Sequence, residues 1–134
     1  MENQALPKRF IFNEKLDSEY LFSLYADDFA YVEEIFATTL HHFDQDFAAI
    51  EVAWESGNIP DLKKAAHKIK PTFGFIGLPE VQELCRNFEE NCQKVSTTDE
   101  LKNDYKQIVT TLAESKELIE LEHRRLKEFN LNPL

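Results

Sequence analysis

The stretch Pro60–Gly77, PDLKKAAHKIKPTFGFIG, carries the pattern that decides the fold of this 134-residue chain. Its small and apolar residues recur at spacings of three and four and lie within about 60° of one another on a helical wheel, as expected for one buried face. These residues are Leu62, Ala65, Ala66, Ile69, Phe73 and Ile76. Proline favours the first turn of a helix and glycine its end. The stretch therefore predicts a helix from Pro60 to Ile76.

The same periodicity marks the rest of the chain, which has only three glycines and five prolines. It predicts a short helix and three further long ones, at Ser18–Tyr25, from Asp27 to the stop signal at Gly57, at Pro79–Lys94, and from the capping box at Thr97 to about Leu126. The apolar pattern wavers near His41, which leaves a bend in the second helix open. Four long helices with short connections predict an all-α fold, an antiparallel four-helix bundle with a short additional N-terminal helix.

The length suits one domain, since 134 residues can bury a single core without disulfides or metals. Residues 1–14 mix apolar, basic and proline positions without a period, so we predict a tail or a strap that lies on the bundle. Residues 15–134 are predicted to form the bundle itself.

The net charge of −10 disfavours nucleic acid and anionic membranes as partners, because both attract cationic surfaces. No apolar run reaches about 18 residues, and the N-terminus lacks the apolar region of a secretory signal. Cys85 and Cys92 lie seven residues apart, about 10 Å along one helix, which is too far for a disulfide. We therefore expect a monomeric cytoplasmic protein with reduced, buried thiols.

His67 falls about 140° from Leu62 on the wheel, which places it on the solvent side of the helix. Its neighbours on that side are cationic residues, a proline and a glycine: Lys63, Lys64, Lys70, Pro71 and Gly74. An exposed imidazole among lysines suits an anion, and the glycine leaves room for something to approach. The alternative is a solvated helix face that happens to carry one histidine. Pro71 is expected to kink the helix just beside the imidazole.

These residues resemble the histidine-containing phosphotransfer (HPt) domains of two-component phosphorelays. That family has a histidine, a lysine three residues later and glycines at seven and ten, which match His67, Lys70, Gly74 and Gly77. The next helix continues the match with Leu84, Cys85 and Phe88-Glu89, and the apolar spacing agrees over roughly residues 17–125. Two departures are Pro71, where the family usually has glycine, and Thr72-Phe73, which replace two small residues.

The resemblance implies a phosphocarrier, not an enzyme, in which Nε2 of His67 takes a phosphoryl group from a receiver-domain aspartate. It implies receiver domains of response regulators and of hybrid histidine kinases as partners, and no cofactor or metal of its own. A carboxylate that accepts from Nδ1 would fix the tautomer, and Glu89 is the candidate. Lys70, and secondarily Lys68, would neutralise the phosphoryl oxygens. The predicted partner-binding residues are Lys63, Lys64, Lys68, Pro71, Gly74 and Phe75.

Three other classes of protein share some of these features. A histidine-kinase dimerisation helix has an acidic residue directly after its histidine, where this chain has Lys68, and it needs an ATP-binding domain. A di-iron bundle needs two Glu-x-x-His motifs, and only Glu120–His123 offers one. A helical interaction module that never carries phosphate shares the fold and the basic patch, so it stays open as the alternative.

Overall fold

A computed structural model describes residues 9–132 of the chain. This part contains five α-helices and one 3-10 turn: α1 Ser18–Tyr25, α2 Phe29–Glu55, α3 Ile59–Phe75, α4 Pro79–Cys92, the 3-10 turn Thr98–Leu101, and α5 Lys102–Leu131. Helix α2 is continuous, so the bend allowed near His41 does not interrupt it. No helix within residues 9–132 is long and apolar enough to cross a membrane.

Polar side chains fix where the first three helices begin. Carboxylate or amide oxygens of Asp17, Asp28 and Asn58 each accept a hydrogen bond from a backbone N–H three residues further on. The final helix begins differently from the prediction, because the Glu100 carboxylate accepts from the Ser96 N–H and the Thr97 hydroxyl and a 3-10 turn comes first. Helix α4 ends at Cys92, two residues earlier than predicted.

The four long helices form an antiparallel bundle in which each packs on two neighbours. Helices α2 and α4 both contact α3 on one side and α5 on the other, and the short α1 rests on α2. The predicted fold is therefore confirmed. The interior contains the large apolar side chains of every long helix, among them Phe36, Phe43, Leu62, Ile69, Phe73, Phe88, Ile108 and Leu112. The apolar spacing of α4 predicts that Leu84 also belongs to this core, but its side chain is only partly buried against it.

The described part of the predicted strap, residues 9–14, is fastened to the C-terminal half of α5. The Phe10 ring is buried and lies 5.6 Å from the ring of Phe129. The Asn13 N–H donates to Oε2 of Glu122 at 2.9 Å, and Glu122 is fully buried. Arg125 forms an ion pair with Glu122 and donates to the Ile11 carbonyl. Residues 1–8 of the predicted segment lie outside the described residues.

Helix α1 is held against the C-terminal end of α3. The Asp17 N–H donates to the Gly77 carbonyl at 2.8 Å, and the Tyr25 hydroxyl donates to the Phe75 carbonyl at 2.8 Å. Gly77 has a positive φ of 78°, and a Cβ at this position would come within 2.8 Å of the Leu21 side chain. Glycine is therefore required there for the turn and for the close approach of α1.

Candidate functional site

His67 lies in the middle of α3 with 67% of its side chain exposed, on the solvent side as the helical wheel indicates. Pro71 is inside the same helix, four residues later, and has no N–H to offer the His67 carbonyl. Helix α3 nevertheless continues to Phe75. The imidazole therefore stands on a helix that Pro71 does not end, one turn before this exposed proline, and the kink expected at Pro71 stays a prediction.

The imidazole is held by a carboxylate from the neighbouring helix. Nδ1 of His67 lies 2.7 Å from Oε1 of Glu89 on α4, and the Glu89 side chain is only 15% exposed. Nζ of Lys70 donates to the other carboxylate oxygen, Oε2, at 2.9 Å. Burial alone would raise the pKa of Glu89, but the hydrogen bonds from Lys70 and His67 outweigh it and hold the pKa below its usual value. Glu89 is thus ionised at neutral pH and bridges the two other side chains.

This contact has a consequence for the proton on the ring. A carboxylate only accepts hydrogen bonds, so the neutral imidazole next to it carries its proton on Nδ1. Nε2 is then left with its lone pair. Among residues 9–132, Nε2 has no hydrogen-bond partner. The arrangement presents a nucleophilic nitrogen to solvent.

The four lysines predicted to surround His67 do not form one patch. Lys70 turns towards α4 and its side chain is only 22% exposed. Lys68 turns the other way, where its Nζ lies 3.3 Å from Oδ1 of Asp46 on α2. Lys63 is partly buried and Lys64 is exposed. The cationic groups therefore stand on both flanks of the imidazole, and two of them are already paired with carboxylates.

The structure corrects the expectation that Gly74 leaves open space. A Cβ at Gly74 would lie 2.9 Å from Nε2 and 3.3 Å from Oε1 of Gln82, a residue of α4. The carboxamide of Gln82 therefore occupies the space that the missing side chain creates. Sequence analysis did not single out Gln82.

Phe75 and Pro71 are exposed, and the side chain of Phe75 is 56% accessible. Phe75 is one of the residues that line a groove of about 390 Å³ between α2 and α3. The groove is lined by polar and charged residues besides this ring: Thr38, Thr39, His42, Gln45, Asp46, Lys68 and Thr72. An exposed aromatic ring on the helix that carries His67, with polar groups beside it, is suited to contact another protein.

The two cysteines lie in the interior behind the site. Cys85 and Cys92 are both buried and unpaired, and α4 places them on either side of Glu89 in the sequence. Burial raises the pKa of Cys85 to about 12 and that of Cys92 to about 11. Both thiols are therefore protonated at neutral pH and have little nucleophilic character. No group of three potential metal-ligating side chains occurs in residues 9–132.

Of the predicted site residues, the structure brings His67, Lys70 and Glu89 into direct contact. Gln82 and Asp46 were missed. Gln82 precedes Glu89 by seven residues, which is two helical turns, so its position on the same face of α4 could have been found from the wheel. Asp46 could not, because its contact with Lys68 depends on how α2 and α3 align.

The chain is similar to known proteins in both sequence and fold. The family model of the Hpt domain matches residues 34–124. The fold is similar to the HPT domain of a sensor hybrid histidine kinase from Shewanella, with a TM-score of 0.71, 14% identity, and coverage of 83% of this chain and 95% of that one. It is also similar to histidine-containing phosphotransfer protein B from Pseudomonas aeruginosa, with a TM-score of 0.68, 20% identity, and coverage of 84% and 96%. No curated protein sequence matches significantly.

Proposed function

The chain belongs to the Hpt domain family, and we propose that it is a phosphocarrier that accepts a phosphoryl group on Nε2 of His67 and passes it on. The donor is the aspartyl phosphate of a receiver domain, and the acceptor is the aspartate of another receiver. The observation that carries the proposal is the contact between Nδ1 of His67 and Glu89, which leaves Nε2 exposed and unprotonated. Receivers of response regulators and of hybrid histidine kinases are the proposed partners of a monomeric, cytoplasmic protein.

In the proposed transfer, every bond that forms or breaks belongs to one of the two proteins or to the phosphoryl group. The Nε2 lone pair attacks phosphorus, the N–P bond forms, and the bond between phosphorus and the aspartyl oxygen breaks. The aspartate leaves as a carboxylate, and the imidazole keeps its Nδ1 proton and becomes cationic. Glu89 stabilises this cation because its carboxylate is ionised and only 2.7 Å from Nδ1. The reverse step returns the phosphoryl group to a second receiver.

The lysines have separate parts in the proposal. Lys70 is the nearest ammonium group on the α4 flank, where it can approach the phosphoryl oxygens on Nε2 by exchanging its contact with Glu89. The exposed Lys64 and Lys68 act at longer range, since surface charges mainly steer the encounter and are screened by salt. Pro71, Gly74 and Phe75 supply the uncharged part of the proposed docking surface.

The test is label transfer from a receiver domain that carries radioactive aspartyl phosphate. The wild-type chain should become labelled, and the label should be lost in acid and retained in base, as expected of a phosphohistidine. His67→Gln should take no label while its far-UV circular dichroism stays helical. His41→Gln, at an exposed position of α2 outside the groove, is the matched control and should be labelled like the wild type. A chain that binds receivers but never takes label would be the interaction module instead.

A further inference from the structure

Helices α3 and α4 run antiparallel, and two of their contacts stand in the same register. Gly74 follows His67 by seven residues on α3, and Gln82 precedes Glu89 by seven residues on α4. Because seven residues are close to two helical turns, each pair of positions shares a helix face, about 10 Å apart. Gln82 therefore faces Gly74 across the two helices, just as Glu89 faces His67 two turns away.

The two contacts differ in the groups of α3 that the α4 side chain touches. Glu89 meets the imidazole and an ammonium group, whereas Gln82 meets the bare backbone of Gly74. Within residues 9–132, the carboxamide of Gln82 has no hydrogen-bond partner, although the side chain is partly buried. An amide held over a glycine on the histidine face, with all its polar atoms unused, has hydrogen-bonding capacity left for a partner.

We propose that Gln82 is a docking residue, whose carboxamide hydrogen-bonds to a peptide group in a loop of the receiver domain. The inference rests on the proposed function, because it needs the receiver to cover the His67 face. A carboxamide is uncharged and offers both a carbonyl acceptor and N–H donors, so it matches a peptide group, which has one of each. Gly74 is needed because any side chain there would displace the amide.

The first experiment measures single-turnover transfer from a phosphorylated receiver at increasing receiver concentrations. Gln82→Ala should raise the half-saturating concentration about five-fold, the effect of one lost neutral hydrogen bond of about 1 kcal/mol. The limiting rate at saturation should stay at the wild-type value, because Gln82 does not touch the reacting atoms. Gln82→Leu keeps the bulk without the polar atoms and should behave like Gln82→Ala. Gln107→Ala, an exposed position on α5, is the matched control and should change neither quantity.

The second experiment moves the amide without removing it. Gly74→Ala should displace the Gln82 side chain and raise the half-saturating concentration, yet it should not lower the melting temperature, because alanine is a better helix former than glycine. If Gly74 had a purely structural role, weaker docking would come with a lower melting temperature. Weaker docking at an unchanged or higher melting temperature therefore indicates a role in docking. In the Gln82→Ala background, Gly74→Ala should have no further effect on docking.

Two results would overturn the inference. One is an unchanged half-saturating concentration for both Gln82 variants; the other is an equal penalty of Gly74→Ala with and without Gln82, which would mean that the methyl group itself blocks the partner. The proposed function is tested by a separate measurement, and it fails if the wild-type chain takes no label. In that case, equilibrium binding of the unphosphorylated receiver to wild type and Gln82→Ala still decides whether Gln82 contacts it.

Discussion

Lys70 and Glu89 lie on antiparallel helices with Nζ and Oε2 only 2.9 Å apart, so the ammonium group of Lys70 is paired with the same carboxylate that contacts His67. Glu89 thereby holds two cations, and a phosphoryl group on Nε2 would compete with it for one of them. The site is therefore an arrangement of three side chains in which Lys70 and His67 together hold the pKa of Glu89 below its usual value, against the opposing effect of burial.

Lys70→Ala should raise the pKa of Glu89, because it removes a hydrogen bond that lowers this pKa and leaves the opposing effect of burial in place. A carboxylate with a lowered folded pKa contributes stability above its unfolded pKa, and this contribution is lost as the pH falls through the folded value. The variant should therefore be less stable than the wild type near pH 7, and this difference should shrink as the pH falls and Glu89 becomes protonated in both proteins. Carbon-13 NMR of the Glu89 carboxyl and urea unfolding, from about pH 7 to about pH 3, measure both.

Lys68→Ala is the control for this experiment, since Lys68 pairs with Asp46 on the opposite flank and should leave the titration of Glu89 unchanged. The two variants should also differ in transfer. Lys70→Ala should slow transfer at saturating receiver, whereas Lys68→Ala should slow only the encounter, with a defect that fades as salt rises. If Lys70→Ala transfers the phosphoryl group at the wild-type rate at saturating receiver, the ion pair between Lys70 and Glu89 has only a structural role.

Glu89→Ala should release the imidazole from a single tautomer. In the wild type, long-range nitrogen-15 NMR at a pH where His67 is neutral should show the proton on Nδ1, because the carboxylate lies 2.7 Å away. The alanine variant should show a mixture of both tautomers and a transfer rate about 10- to 100-fold lower, the usual cost of removing such a supporting group.

Glu89→Gln separates the hydrogen bond from the charge. Its carbonyl oxygen can still accept from Nδ1, so the tautomer should be kept while the stabilisation of the cationic imidazole is lost. A wild-type spectrum with the proton mainly on Nε2 would contradict the role assigned to Glu89.

The core should respond unevenly to truncation. Leu112→Ala removes a side chain of α5 that is fully buried, and it should lower the free energy of unfolding by about 2–5 kcal/mol in urea titrations. Leu84→Ala should cost less, because Leu84 is only partly buried and its site can fill with solvent. An equal loss of unfolding free energy in both variants would show that Leu84 is packed more tightly than its partial exposure indicates.

Glu122→Ala should free the strap from α5. The Asn13 N–H would lose its acceptor and Arg125 its partner, so the free energy of unfolding should fall by about 1–3 kcal/mol. Glu122→Gln can still accept from the Asn13 N–H and should lose less. Amide hydrogen exchange at Asn13 checks the mechanism: it should be slow in the wild type, intermediate in Glu122→Gln and fast in Glu122→Ala.

The cysteines should not react in the native protein. Cys85 and Cys92 are buried and their pKa values are raised to about 12 and about 11, so an aromatic disulfide reagent at about pH 8 should label neither over minutes. Both should react at once in denaturant. Fast labelling of one thiol in the folded state would reveal local opening of α4.

Local pattern was sufficient to predict most of the fold. The spacing of apolar residues, the cap at Asp17 and the glycine at position 77 are properties of single helices, and each can be deduced from neighbouring residues. The cap at Asn58 was not predicted, because Gly57 and Asn58 were interpreted only as the end of the preceding helix. The exposed position of His67 followed from the same wheel. Leu84 was assigned to the core because the wheel gives its direction but not how closely α4 approaches its neighbours.

The parts that sequence analysis missed depend on how helices align. The Gln82–Gly74 contact needs the register of α3 against α4, which no single helix determines. Glu122 left a signal that could have been found, since it lies between Ile119 and Leu126 on the apolar stripe of α5, where a charged residue needs a buried partner. The identity of that partner, the Asn13 N–H, could not be deduced, because irregular segments have no periodicity to align.

The packing of the strap also sets where the chain can be joined to other proteins. The rings of Phe10 and Phe129 both pack on Phe29 at the start of α2, with centroids 6.0 and 5.3 Å from it. Asp46, which pairs with the residue after His67, lies 17 residues further along α2, about 25 Å away. A receiver tethered near either end of residues 9–132 would therefore reach the imidazole most readily through a flexible linker of about 20 residues, whose average span matches this distance, and linkers too short to span it would favour transfer between separate molecules.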